Sequence, residues 1–242
     1  MYNKKSVSVI LATYREKRSI RRVIEEFWLT GFVDEIIVIN NNAEKGTDEE
    51  VKKTKARIVY EPKQGYGYAF QTGLNEAKGD YVVVCEPDGS FSAKDIEKFL
   101  LFAKEFSVVF GSRTSLIPSL SVTGMGVIRK FANVIEAKTI EILFNTNSLT
   151  DVGCTYKLFT RKALNKISKM WKNKSPLFNT ELILLTVSQR ISFVEIPVKY
   201  LKRVGTSQIV GSWLQVFKWA LKIQIYIFYY WFKYLLSSPK KK

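Results

Sequence analysis

Along the first half of the chain, short apolar runs rich in β-branched residues alternate with longer segments of mixed polarity. The runs are VSVILA (Val7 to Ala12), EIIVIN (Glu35 to Asn40), ARIVYE (Ala56 to Glu61), YVVVCE (Tyr81 to Glu86) and SVVFGS (Ser107 to Ser112). They are close to continuously apolar, the pattern of strands buried on both faces, and the segments between them, roughly 10 to 20 residues long, read as helical. This predicts βαβ units in an α/β domain with a doubly wound, mostly parallel sheet. In such open sheets ligands bind outside the carboxyl ends of the strands. The polar residues that follow each run therefore mark the expected site: TYRE, NNN, PKQGYG and EPDGS.

After Ser112 the pattern changes. A loop, RTSLIPSLSVTGMG, leads to a predicted helix from Val127 to Phe144, a strand-like CTYKLF, a second helix near Asn179 to Gln189, and ISFVEIPVKYL, which alternates like a strand at a sheet edge. This half reads as a lid or acceptor side built onto the sheet. No repeat or low-complexity linker interrupts the chain, so residues 1–210 are expected to form one domain. The last part, 211–242, differs in kind: seven of the nine positions from Tyr226 to Tyr234 are aromatic, and Gln215, Lys218, Lys222, Tyr229 and Lys233 recur along one helical face. Only ten residues separate Lys222 from Lys233, whereas a spanning helix needs roughly 20. An amphipathic helix from Ser212 to Leu236 lying in the bilayer interface fits this pattern; a terminal helix packed on the domain or on a second subunit is the alternative. SSPKKK then reads as a disordered basic tail.

Charge narrows the partners. With 38 Lys and Arg against 22 Asp and Glu, the chain carries a formal +16, which points to an anionic partner: nucleic acid, a phosphorylated substrate or an acidic membrane surface. Nucleic acid is the remote choice, because no recognised nucleic-acid module is present and the aromatic residues gather in one terminal segment. There is no histidine, which removes Ser-His-Asp and Cys-His nucleophiles and His-based metal sites. The two cysteines, Cys85 and Cys154, sit in apolar runs without a CxxC spacing, so neither a disulfide framework nor a zinc site is supported and a reducing, cytosolic setting is expected. The start, MYNKKSVSVILATY, does not read as a signal peptide.

Carboxylates carry the candidate chemistry. Glu86 and Asp88 flank Pro87 at the end of a predicted buried strand, where both can approach one hard cation such as Mg²⁺ or Mn²⁺ that would neutralise a diphosphate. Pro, Asp and Gly are also the ordinary ingredients of a turn, and Glu16 could simply begin a helix.

The order of TYRE, a polar cluster after the second strand, GYGYAFQTGLNEAKGDYVVV and EPD resembles the family-two glycosyltransferases of GT-A fold. GSR at Gly111 to Arg113, TDVGCTYKLFTRKAL from Thr150, FNTELILL from Phe178 and VEIPVKYLKRVGTS from Val194 resemble the dolichyl-phosphate mannose synthase and polyprenyl-phosphate glycosyltransferase branch. The resemblance implies metal-dependent, inverting transfer of a hexose from a nucleotide-diphosphate sugar, of GDP-mannose or UDP-glucose type, to a polyprenyl or dolichyl phosphate by an enzyme held peripherally at the cytosolic membrane face. It implies Glu86, Asp88 and Ser90 as metal ligands and Ala12, Thr13, Tyr14, Glu16, Asn40, Asn42, Lys63 and Gly67, with the acidic pair, around the nucleotide sugar. It assigns the acceptor phosphate to Arg113, Arg129, Arg203 and Ser207, with Asp88 and the three arginines as the catalytic set. This chain departs from the family in having Asn40, Asn41 and Asn42 where an Asp is common, Glu86 where the first metal acid is usually Asp, Ser90 where the mannose synthases tend to have Gln, and Gln208 in a place often held by Lys. A transferase acting on a glycan or other soluble acceptor would instead need Asp151 or Glu181 as general base, since a sugar hydroxyl is not ionised.

Overall fold

All five apolar runs form strands. The computed structural model describes residues 2–114, 126–205 and 213–237, and in it β1 (Val7–Thr13), β2 (Glu35–Asn40), β3 (Arg57–Tyr60), β4 (Tyr81–Cys85) and β5 (Val108–Ser112) alternate with α1 (Lys17–Leu29), α2 (Thr47–Lys52), α3 (Tyr66–Glu76) and α4 (Ile96–Phe102). One seven-stranded sheet results, ordered β3-β2-β1-β4-β6-β5-β7, where β6 is Lys157–Thr160 and β7 is Phe193–Pro197. Neighbours are parallel except at β6, which runs antiparallel to both β4 and β5. The second half is thus no lid on the sheet: β6 and β7 complete it, with β7 at the edge. Their apolar residues leave no other solution, since Leu158, Phe159, Phe193 and Ile196 are buried between the layers.

Alternation along the strands feeds two cores. Val7, Val9, Leu11, Ile36, Val38 and Val83 face α1, α2 and α4, while Ile10, Ile37, Ile39, Val82 and Val84 face the other helical layer. That layer is built from α3, α5 (Val127–Phe144), α6 (Arg161–Ile167), α7 (Phe178–Ser188) and α8 (Trp213–Ser237). In α1, Ile20, Val23, Ile24 and Phe27 make the inward stripe at helical spacing. Every residue of α7 is buried, which explains why its sequence shows no polar face.

The terminal helix has three faces rather than two. One docks on the domain: Ile223 and Ile227 join the core, worth about 1.5–3 kcal/mol each, and Tyr226 Oη donates to Glu181 Oε1 at 3.1 Å while Gln224 Nε2 donates to Thr139 Oγ1 at 2.9 Å. A second face exposes Phe217, Leu221, Ile225, Phe228 and Phe232. Lys218, Lys222 and Lys233 lie beside it on the third, by the 100° step of a helix. Exposed apolar residues on α5, namely Val127, Ile128, Phe131 and Ile135, add to this surface. Among the described residues no helix is long and apolar enough to cross a membrane. Ser207, Gln208 and the tail from Ser238 lie outside the described residues.

Candidate active site

The strand order changes direction between β1 and β4, so the loops after these two neighbours diverge and leave a crevice above their carboxyl ends. A cavity of about 780 Å³ occupies it. Glu86, the first residue past β4, lies on its wall, and Asp88, two residues on, is buried and not part of the lining. Asp88 Oδ1 accepts the Ser90 amide at 2.8 Å across Gly89, whose φ of +75° suits the glycine there. EPDG is therefore a turn and a carboxylate presenter at once.

Arg203 holds the acidic pair together. Residues 200–204 run antiparallel to residues 88–91, tied by Leu201 N to Ser90 O at 2.7 Å and Val204 N to Asp88 O at 2.9 Å. That pairing delivers the Arg203 guanidinium to Glu86 Oε2 at 2.7 Å through Nη2 and to Asp88 Oδ2 through Nε. Thr155 Oγ1 donates to Glu86 Oε1 at 3.0 Å. Burial, and then the Asp88 charge, push the Glu86 carboxyl above its usual range in spite of Arg203. Two adjacent carboxylates that share a single guanidinium suit a hard divalent metal as well, and among the described residues the buried Ser90 hydroxyl has no hydrogen-bond partner, a further oxygen donor of the kind Mg²⁺ and Mn²⁺ take. Among the described residues no third Asp, Glu, Cys or His joins the pair.

A second charged pair lies across the cavity. Arg113, just past β5, grips Asp151 with Nε at 2.8 Å, Nη2 at 2.8 Å and its own amide at 2.9 Å. Burial would raise the Asp151 pKa, but Arg113 outweighs it and holds the carboxyl below its usual range. Glu195 on β7 fixes the same segment by accepting the amides of Thr150 at 2.6 Å and Asp151 at 2.9 Å. Asp151 is thus no free base. Nor is Glu181, whose oxygens accept the amides of Lys172 and Asn173 and the Tyr226 hydroxyl.

The remaining walls come from three places. Ala12 and Thr13 end β1 and Tyr14 and Glu16 follow it, and Glu16 Oε2 folds back onto the Tyr14 and Arg15 amides at 2.7 and 2.8 Å, shaping that loop. Asn41 stands beside them; its Nδ2 donates to Glu61 O and Lys63 O, and its Oδ1 accepts the Gly65 amide, which pins the loop carrying Gln64 and Tyr66. Finally Arg129, Ala132, Asn133 and Glu136 of α5 face Val216, Trp219, Ala220 and Ile223 of α8, both sets at i, i+3, i+4, i+7. One wall is polar and the facing one apolar.

Of the residues expected from sequence, Ala12, Thr13, Tyr14, Glu16, Glu86, Arg113, Arg129 and Arg203 line this single cavity. Asn40 and Asn42 do not: Asn40 is bonded to Asp48 Oδ1 and the Ala43 amide, and Asn42 sits exposed at φ 57°. Lys63 is exposed over the Tyr68 ring. Gly67 is buried under residues 173–174, where a Cβ would meet Asn173 O at 2.5 Å, so its smallness serves helix packing. Sequence reasoning passed over Asn41, Tyr66, Asn133, Glu136, Lys202 and Trp219. The α5 residues were recoverable from their helical spacing to Arg129.

Residues 8–168 match the family model described as glycosyl transferase family 2. Among curated proteins, the dolichyl-phosphate beta-glucosyltransferase of Saccharomyces cerevisiae is 24% identical over 189 residues, covering 69% of this chain and 56% of that protein. A dolichyl-phosphate beta-glucosyltransferase of Trichomonas vaginalis is 27% identical, covering 73% and 55%. The chain thus spans about half the length of these two relatives. Among solved structures, glucosyl-3-phosphoglycerate synthase from Mycobacterium tuberculosis, in complex with Mn²⁺, UDP and phosphoglyceric acid, superposes with a TM-score of 0.72 at 14% identity, over 94% of this chain and 79% of that one.

Proposed function

The chain belongs to glycosyl transferase family 2, and from that membership we propose that it transfers glucose from UDP-glucose to a polyprenyl phosphate, with inversion, at the cytosolic face of a membrane. The observation that carries this is a single cavity lined by Glu86, which Arg203 ties to the buried Asp88, and by three arginines, with an apolar helix wall facing them. The names of the relatives favour glucose and a lipid phosphate, and the mycobacterial neighbour was crystallised with Mn²⁺ and UDP.

Glu86 and Asp88, with Ser90 beside them, are the residues that would hold Mg²⁺ or Mn²⁺, which supplies Lewis acidity and charge compensation to the departing diphosphate. Arg203, which already neutralises the pair, adds fixed positive charge on the same side. Thr13, Tyr14, Glu16 and Asn41 surround the nucleoside, where Asn41 replaces Asn40 and Asn42 of the sequence expectation. Arg129, the remaining Arg113 N–H groups and Asn133 receive the acceptor phosphate, with Ser207 a further candidate outside the described residues. A phosphate monoester has its second pKa near ~6, so its oxygen is an anion at neutral pH and needs no general base. This suits a site whose Asp151 and Glu181 are both committed elsewhere, and it disfavours a neutral hydroxyl acceptor. Attack on the face opposite the leaving diphosphate inverts the anomeric centre.

The apolar wall of Val216, Trp219, Ala220 and Ile223 receives the first isoprene units. The exposed apolar rows of α5 and α8, flanked by lysines, lie in the interface of an anionic membrane without spanning it. A donor screen tests the reading: UDP-glucose, GDP-mannose and other nucleotide sugars, each supplied with a short prenyl phosphate and Mn²⁺ or Mg²⁺. UDP-glucose is expected to be the productive donor; transfer from GDP-mannose alone would overturn the assignment of the base and sugar.

A further inference from the structure

Glu136 lies one turn beyond Asn133 on α5, 3% exposed yet on the cavity wall. No donor among the described residues hydrogen-bonds its carboxyl, and the charged group that bears on it is Asp151. The neighbouring acids are all partnered: Asp151 by Arg113, Glu195 by two backbone amides, Glu86 by Arg203 and Thr155. An ionised Glu136 would be both desolvated and repelled, so the group keeps its proton; burial first, and Asp151 second, push its pKa up to about 8. Among the described residues, α8 contributes Val216, Trp219, Ala220 and Ile223 to the cavity wall, none of which carries an acceptor, while Gln224 is tied to Thr139 through its Nε2. A largely buried acid with no hydrogen-bond donor among the described residues, turned to a cavity on the same helical stripe as Arg129 and Asn133, is a feature a fold retains at a site rather than in a core.

We propose that Glu136 is an acceptor-recognition residue, which in its acid form donates a hydrogen bond to the phosphate of the incoming prenyl phosphate beside Arg113 and Arg129. The inference rests on the lipid-phosphate reading above. No proton is transferred: the phosphate is already an anion, and its charge strengthens the hold of Glu136 on its own hydrogen. The ionised form would repel the acceptor. The charged and titratable groups around it are Asp151 and its partner Arg113 from the loops after β5 and before β6, Arg129 on its own helix, and Tyr14, Glu16, Tyr66, Glu86, Tyr200, Lys202 and Arg203 from the rest of the cavity; among the described residues α8 presents none on this wall.

The test is the acceptor KM between pH 7 and 9.5 at saturating donor, for wild type and Glu136→Gln. The phosphate stays doubly ionised throughout this range. In wild type the acceptor KM is expected to climb about tenfold per pH unit above roughly pH 8, as the acid form is lost, while the donor KM does not follow it. Glu136→Gln should show an acceptor KM about threefold higher at pH 7, the amide being a weaker donor, and then stay level. Lys157, buried behind the cavity with its pKa lowered by burial to about 8, titrates in both proteins alike, so the difference between them is diagnostic. A variant-free measurement runs beside it: stabilisation of wild type against heat by a water-soluble prenyl phosphate should fade above pH 8. The proposal falls if both proteins share the same alkaline limb, if wild type shows none, or if Glu136→Gln keeps its acceptor KM and loses kcat a hundredfold, the mark of a base. Wild type that transfers nothing to prenyl phosphate at any pH would remove the underlying reading, and this one with it.

Discussion

Asp88 and Glu136 are both buried acids, Glu136 on the cavity wall and Asp88 paired through Arg203 with Glu86 on it, and their surroundings give them opposite characters. Asp88 meets Arg203 and the Ser90 amide; Glu136 meets no donor among the described residues. Replacing Asp88 by Asn keeps the shape but halves the charge available to a cation, so transfer is expected to drop by about 10²–10³-fold, with Mn²⁺ affinity falling in parallel and the melting temperature changing little. Near-normal turnover of that variant, or indifference to EDTA, would remove the metal assignment. For Glu136 the effect is on stability and follows pH. At low pH the folded and unfolded chains both hold the proton. As pH rises past the ordinary carboxylate range the unfolded chain releases it while the folded one keeps it until about pH 8, so Glu136 costs stability increasingly over that interval. Glu136→Gln should therefore raise the unfolding free energy more at pH 8 than at pH 5, by an amount on the order of a few kcal/mol at the alkaline end, with the melting temperature rising in step; equal shifts at both would show that the carboxyl is solvated. Neither character is legible in the sequence. Glu136 reads there as one more polar position on a helix until α8 covers it, and the choice of Asn41 over Asn40 and Asn42 depends on which way one residue turns as β2 ends.

Elements were easier to read than contacts. Strands buried on both faces announce themselves as apolar runs, and β1 to β5 and the helix from Val127 to Phe144 follow directly. β6 and β7 were visible as strands but not as members of the sheet, because their pairing with β4 and β5 joins positions far apart in the chain. The helix α8 was read as two-sided; its aromatic residues populate both the docked and the exposed faces, so periodicity alone could not separate them. The two faces predict different phenotypes. Ile227→Ala, at a fully buried position, should cost about 2–4 kcal/mol. Phe228→Ser with Phe232→Ser, at positions 47% and 61% exposed, should leave the melting temperature nearly unchanged and abolish sedimentation with anionic vesicles. A double variant that still sediments would move the membrane surface elsewhere. Because α8 also walls the cavity, deletion from residue 213 onward should cost both fold and turnover, beyond the simple loss of membrane capture that the sequence suggests.

At the scale of the whole molecule, one sheet gathers at its topological switch an acid pair, arginines and an apolar wall, and the same α5 and α8 that build the wall carry the exposed apolar surface. On the proposed function, acceptor capture and chemistry would share two helices: a lipid leaving the bilayer between them would meet the polar stripe of α5 with its phosphate and the apolar stripe of α8 with its chain. The +16 charge favours an anionic leaflet and substrates bearing phosphate. The central claim is that the acceptor is recognised as a lipid phosphate, by both of its halves. Radiolabelled UDP-glucose should be given, with Mn²⁺, to three acceptors in parallel: a prenyl phosphate, the prenol of the same chain length, and a small soluble phosphorylated acid. The account predicts label in the organic phase with the prenyl phosphate and essentially none with the other two; transfer to the soluble acid in preference to the prenyl phosphate, or to the prenol as readily, would contradict it.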